Sequence, residues 1–139
     1  MNELRPFHLA FPVKDLIVSK KWYTKILGCK VGRESNKWID FNFYGHQIVA
    51  HKSIDLNDIE TNEVDGDNIP VRHFGVILKI NDWKELVNKL NKQKIDYIIK
   101  PHKRFINKKG EQYTLFIKDP SGNALEFKAF KNDQMIFES

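Results

Sequence analysis

Cysteine is almost absent from this chain: it occurs once, at Cys29. No internal disulfide can form, which fits a reducing compartment. A lone thiol between a helical and a strand-like stretch reads as packing, not as a nucleophile. Long apolar runs are missing too, and nothing approaches the roughly 18 residues that cross a bilayer as a helix. The opening "MNELRPFHLAF" carries an early acid and lacks an apolar stretch with a small-residue cleavage site, so export is not expected. These absences predict a cytoplasmic protein without membrane contact. A single basic face is also lacking. The net charge is +5, but the charges are dispersed, so no nucleic-acid partner is expected. Residues 54–70 carry only acidic charge and residues 100–110 only basic charge, and both read as solvated loops. Within the basic stretch, Arg104 is a candidate to meet an anionic substrate.

What is present is an ordinary globular composition, 41% hydrophobic and 29% charged over 139 residues, which suits one domain with a real core. "PFHLAFPV" reads as a strand. In "DLIVSKKWYTKILG", Trp22, Tyr23, Ile26 and Leu27 share a helical face that closes at Gly28. "CKVGRE", "KWIDFNF" and "HQIVAHK" follow as strands, the last two joined by a tight turn at Tyr44-Gly45. Beyond the acidic stretch, residues 71–80 make a strand. "NDWKELVNKLNKQKI" then sets Trp83, Leu86, Val87 and Leu90 on one helical face. "DYIIK", "QYTLFIK" and "ALEFKAF" return to strands, with "DPSGN" as a turn between the last two. The tail "KNDQMIFES" has no readable period.

The order strand, helix, three strands therefore occurs twice. This predicts an α+β fold in which two βαβββ modules, about 5–53 and 71–130, form a single domain over 1–139, joined by an acidic loop at 54–70. Aligning the modules puts His8 on His73 and Ala10 on Gly75. A longer offset puts Trp38 on Tyr113, Phe41 on Phe116 and His51 on Glu126. Strand parity groups Ala124, Glu126 and Lys128 on one face, and Gln47, Val49 and His51 on another. A carboxylate flanked by Leu125 and Phe127 either faces solvent or is bound to something, because burying it alone costs several kcal/mol. His8 and His73 each have the bland alternative of a hydrogen-bonded core or edge histidine. Their equivalent placing favours a shared site, and two imidazoles with a carboxylate suit Fe(II), Mn(II), Ni(II) or Zn(II).

In "FHLAFPVKDL", "WYTKILG", "RHFGVIL" and "DPSGNALEF", taken in that order, the chain resembles the vicinal oxygen chelate superfamily. That family includes glyoxalase I, extradiol dioxygenases and the bleomycin- and fosfomycin-resistance proteins. The resemblance implies that the paired modules curl into a cup-shaped, partly open mixed β-barrel around one divalent metal held by His8, His73 and Glu126. His51 is implied as a fourth ligand, or as a nearby acid or base. Phe116 stands where many ring-cleaving relatives have a substrate-binding tyrosine. Tyr113, the candidate catalytic hydroxyl, lies three residues further upstream, and parity turns it to the other face. Trp38, on the face of His51, is a candidate pocket wall with Arg104 and Phe116.

Two function classes follow from the resemblance. One is a metal-dependent enzyme on a small molecule, dioxygenase-like or glyoxalase-like. The other is a metal-free drug- or metabolite-binding protein. A homodimer is expected, with each site completed within one chain or across two.

Overall fold

The computed structural model describes residues 3–138, so the ends of the expected domain, residues 1, 2 and 139, lie outside the described residues. The chain divides into two compact units. The first contains residues up to Asn57 together with Asp119–Asn123. Its elements are β1 (His8–Val13), α1 (Leu16–Lys25), β2 (Lys30–Glu34), β3 (Trp38–Phe43) and β4 (His46–Lys52). They form a sheet in the order β1-β4-β3-β2, with β1 parallel to β4 and the other pairs antiparallel.

Helix α1 starts at Asp15, whose carboxylate accepts from the backbone N–H of Ile17 and of Val18. This satisfies two donors that a helix start otherwise leaves open. Phe11 and Val13 of β1, Phe41 of β3 and Ile48 of β4 are buried with Tyr23 of α1, whose ring stacks on Phe41. The "DPSGN" turn is tied to the same unit. Asp119 accepts from the Tyr23 hydroxyl at 2.8 Å and from the backbone of Ser121 and Asn123, and the Asn123 amide donates to the Pro12 carbonyl.

The second unit takes Asp58–Lys118 and Ala124 onward. Its elements are β5 (Thr61–Val64), β6 (Asp67–Pro70), β7 (Phe74–Ile77), α2 (Ile80–Lys92), β8 (Tyr97–Arg104), β9 (Gln112–Lys118) and β10 (Ala124–Phe130). The main sheet runs β7-β10-β9-β8, again with its first strand parallel to its last. Trp83, Leu86 and Leu90 of α2 are buried, as are Leu115, Ile117, Leu125 and Phe127 of the sheet. The Trp83 indole N–H donates to the Phe127 carbonyl at 2.8 Å, so the helix is held to β10 by a polar bond as well as by apolar area.

The α+β class and the two βαβββ modules are those expected from the sequence. Four local features differ. The basic stretch over 100–110, expected as a solvated loop, is strand as far as Arg104, because β8 pairs with β9 there. The strand predicted over 71–80 is confined to Phe74–Ile77, and α2 begins at Ile80. The tail carries a short 3-10 turn at Asp133–Met135. The acidic stretch is not all loop, since β5 and β6 pair there as an antiparallel hairpin. Its turn is Asp65-Gly66, with φ of +50° and +85°, the conformation in which an Asp-Gly pair closes a two-residue hairpin. No helix among the described residues is long and apolar enough to cross a membrane.

Candidate functional site

In the second unit, the pairing of Glu126 with Phe116 and of Lys128 with Thr114 puts these four side chains on one face of the sheet. Trp83 and the rest of the α2 contacts lie on the opposite face. His73 reaches the same face from the residue just before β7, and its Nε2 lies 3.2 Å from Glu126 Oε1. Three contacts seat this pair. The His73 Nδ1–H donates to the Pro70 carbonyl at 2.7 Å, and its ring meets Phe116 edge-on at 5.0 Å between centroids. The Thr114 hydroxyl donates to the other carboxylate oxygen, Oε2, at 2.5 Å.

A carbonyl oxygen can only accept, so Nδ1 carries a proton and Nε2 is the nitrogen that faces Glu126. An unprotonated Nε2 and a carboxylate oxygen at this separation repel unless something positive joins them. A proton on Nε2 can serve. The hydrogen bond to Glu126 raises the His73 pKa above its ordinary value despite opposing burial, and the Pro70 carbonyl adds to the rise. Burial pushes the Glu126 carboxyl up, but hydrogen bonds from His73 and Thr114, with the Lys128 charge, outweigh it and hold the carboxyl below its usual value. A divalent cation can replace the proton. Donors about 2.1 Å from one ion, at angles from 90° to tetrahedral, stand roughly 3.0 to 3.4 Å apart, and the observed separation lies in that range.

Gly75 makes the seating possible. It pairs with Glu126 across parallel strands, and a Cβ built on it would fall 1.5 Å from the Glu126 carbonyl oxygen. Only glycine lets β7 approach β10 so closely.

In the first unit His8 opens β1, exposed, and its Nδ1–H donates to the Gln47 side-chain oxygen at 2.8 Å. As with His73, a carbonyl-type acceptor holds Nδ1 and leaves Nε2 as the available donor atom, the arrangement in which imidazoles bind metals. The register gives a repeat correspondence different from the one drawn from sequence. Ala10 faces Val49 as Gly75 faces Glu126, so the residue equivalent to Glu126 is Val49 and not His51. His51 shares the face of His8 and stands opposite Trp38. It lies four residues along β4 from the partner of His8, however, about 13 Å at the rise of a strand.

The structure thus brings His73, Glu126 and Phe116 together, and His51 with Trp38. Tyr113 is on the helix side of its sheet, its ring 5.2 Å from Trp83. Arg104 is buried, donating to the Val64 carbonyl and to Asp67 and so tying the hairpin to β8. Among the described residues, no three His, Cys, Asp or Glu side chains gather into a ready metal cluster. Sequence reasoning missed Thr114, the Pro70 carbonyl and Gln47. Of these, Thr114 was accessible from parity, since it lies two residues from Phe116.

A family model for the Glyoxalase/Bleomycin resistance protein/Dioxygenase superfamily matches residues 5–127. The chain belongs to that superfamily. It is 33% identical to a solved superfamily protein from Alicyclobacillus acidocaldarius, over 95% of this chain and 96% of that one, with a TM-score of 0.79. More distant superfamily folds include the fosfomycin resistance protein FosX from Listeria monocytogenes, at 15% identity, 97% and 98% coverage and a TM-score of 0.69. The lactoylglutathione lyase from Agrobacterium tumefaciens shares the fold at 17% identity, 88% and 91% coverage and a TM-score of 0.66. No curated protein sequence matches the chain.

Proposed function

We propose that this superfamily member is a divalent-metal-dependent enzyme acting on a small molecule bound through two neighbouring oxygens, of the glyoxalase or extradiol-dioxygenase type. One observation carries the proposal: His73 Nε2 and Glu126 Oε1 stand 3.2 Å apart, each held from behind by a neighbour. His8, with its Nδ1 engaged in the same way, is the proposed third ligand. The ion is Fe, Mn, Ni or Zn, and when bound it would stabilise the negative charge that develops on a substrate's vicinal oxygens.

Around it, this chain's residues have separate tasks. Phe116 walls the substrate pocket as it seats His73, and Trp38 forms a second wall. His51 acts as an acid or base and not as a fourth ligand, because the register sets it well along β4 from the level of His8. Arg104 ties the β5–β6 hairpin to β8, and Tyr113 supports β9 from the helix side. A homodimer is proposed, since β1 and β7 are edge strands of their sheets and Phe7 and Ile77 expose apolar surface beside them.

A second reading, a metal-free pocket for a drug or metabolite, is favoured by the 3.2 Å contact through which His73 and Glu126 can pair with each other without an ion. Metal analysis of untagged protein, stripped with chelator and reloaded with each of the four ions, separates the two. The enzyme reading expects about one ion per chain, lost in His8→Ala, His73→Ala and Glu126→Ala. His51→Ala should keep the ion and lose roughly 10² to 10⁴-fold in turnover, in a screen of catechols and of thiol adducts of 2-oxoaldehydes. Unchanged metal content in the three ligand variants would leave the binding-protein reading.

A further inference from the structure

Resting on the metal-dependent reading, we infer that Thr114 is a positioning residue that makes Glu126 a one-oxygen donor. Thr114 is fully buried, and its hydroxyl donates to Glu126 Oε2 at 2.5 Å, within the range of a charge-assisted O–H···O bond. The other oxygen, Oε1, is the one turned to His73. A free carboxylate can rotate about its terminal torsion and offer both oxygens to a cation. The hydroxyl removes that freedom by occupying Oε2.

Strand β9 supplies both restraints from one face. Phe116, two residues from Thr114, sets the His73 ring edge-on at 5.0 Å, and Thr114 sets the carboxylate. The two restraints fall on partners of neighbouring register, since Glu126 lies opposite Phe116 and Lys128 opposite Thr114. The donor pair is therefore aimed by the strand next to β10 as well as by the strands that carry it. With only Oε1 of Glu126 offered to an ion, a position that a two-oxygen carboxylate would fill would stay open to a substrate oxygen.

The test is calorimetric titration of Zn(II) and Mn(II) into metal-free wild type, Thr114→Val and Thr114→Ser. Valine matches threonine in shape and lacks the hydroxyl, while serine keeps it. Val should weaken affinity about 10- to 100-fold, the usual effect of losing an outer-shell partner, and Ser should restore it to within a few-fold of wild type. Loss of packing alone would instead make Ser, the smaller residue, the worse variant. Infrared difference spectra of the Zn(II)-loaded wild type provide a readout that needs no variant. The wide splitting of the carboxylate stretches typical of one-oxygen ligation is expected, and the narrow splitting of two-oxygen ligation would overturn the inference. So would a Val variant that binds as wild type does. Wild type that takes up neither ion would overturn the metal-dependent reading, and this inference with it.

Discussion

Tyr23 shows how much a single buried side chain can contribute. Helical spacing marks it as core, and it is fully buried, but its hydroxyl also donates to Asp119, 96 residues away in sequence. Burial, and then the Asp119 charge, push the phenol pKa well above 10.0. A group whose folded pKa is raised contributes stability that is complete below its unfolded pKa and is lost as pH rises toward the folded one. Chemical denaturation between about pH 9 and 11 should therefore show stability falling with a slope to which Tyr23 contributes. Tyr23→Phe should cost about 1 to 2 kcal/mol at neutral pH, while Asp119 keeps its Ser121 and Asn123 donors. It should also flatten the alkaline limb. An unchanged limb would mean that other groups set the slope.

Among the elements, the contact of β7 with β10 leaves no room for a Cβ at Gly75. Ala10 in the first module and Gly75 in the second were paired by sequence as small residues, but their situations differ. A Cβ at Gly75 would fall on the Glu126 peptide. Gly75→Ala should push the strands apart, with an overpacking cost of roughly 1 to 3 kcal/mol or more. Because His73 lies two residues earlier, the same change should raise the Zn(II) dissociation constant far more than an exposed control such as Lys92→Ala. Denaturant midpoints and metal titrations on the two variants would check this. Elsewhere the element level was largely legible, since helical faces, strand runs and turn residues are local patterns. The β5–β6 hairpin was missed because its strands are short and acidic, and they lack the apolar alternation that marks a half-buried strand. Its Asp-Gly turn was the available signal, and a buried partner, Arg104, supplies what its sequence lacks.

For the whole chain, the measurable consequence of the proposed site is linkage. A ligand that binds only the folded state stabilises it by mass action, by about 2.7 kcal/mol at a hundredfold excess over its dissociation constant. Scanning calorimetry should show the melting temperature rising with Zn(II). The imidazoles must be neutral to bind metal, and the Glu126 contact raises the His73 pKa, so the gain should shrink as pH falls through the histidine range. A metal-induced shift independent of pH would point to ligands other than histidine. Charge also illustrates the scale at which sequence stops being informative. The acidic and basic stretches were plain as compositions, but their contact through Arg104, His102 and Asp67 was not.

By itself, the sequence determined the α+β class, the duplicated βαβββ order, the superfamily resemblance and the face on which Glu126 lies, because periodicity and turn chemistry are short-range. It proposed His8, His73 and Glu126 from repeat equivalence and family pattern. Only the tertiary structure decided which residues face one another across strands. Register depends on turn lengths, and the five-residue Asp119–Asn123 turn replaces the two-residue Tyr44-Gly45 turn of the first module. That difference shifts the match on the final strand, so Val49, not His51, corresponds to Glu126. The His8 tautomer, the hydroxyl on Glu126 and the glycine beneath it are likewise set by atoms distant in sequence, and the His73 tautomer by the Pro70 carbonyl three residues away, where no side-chain pattern records them.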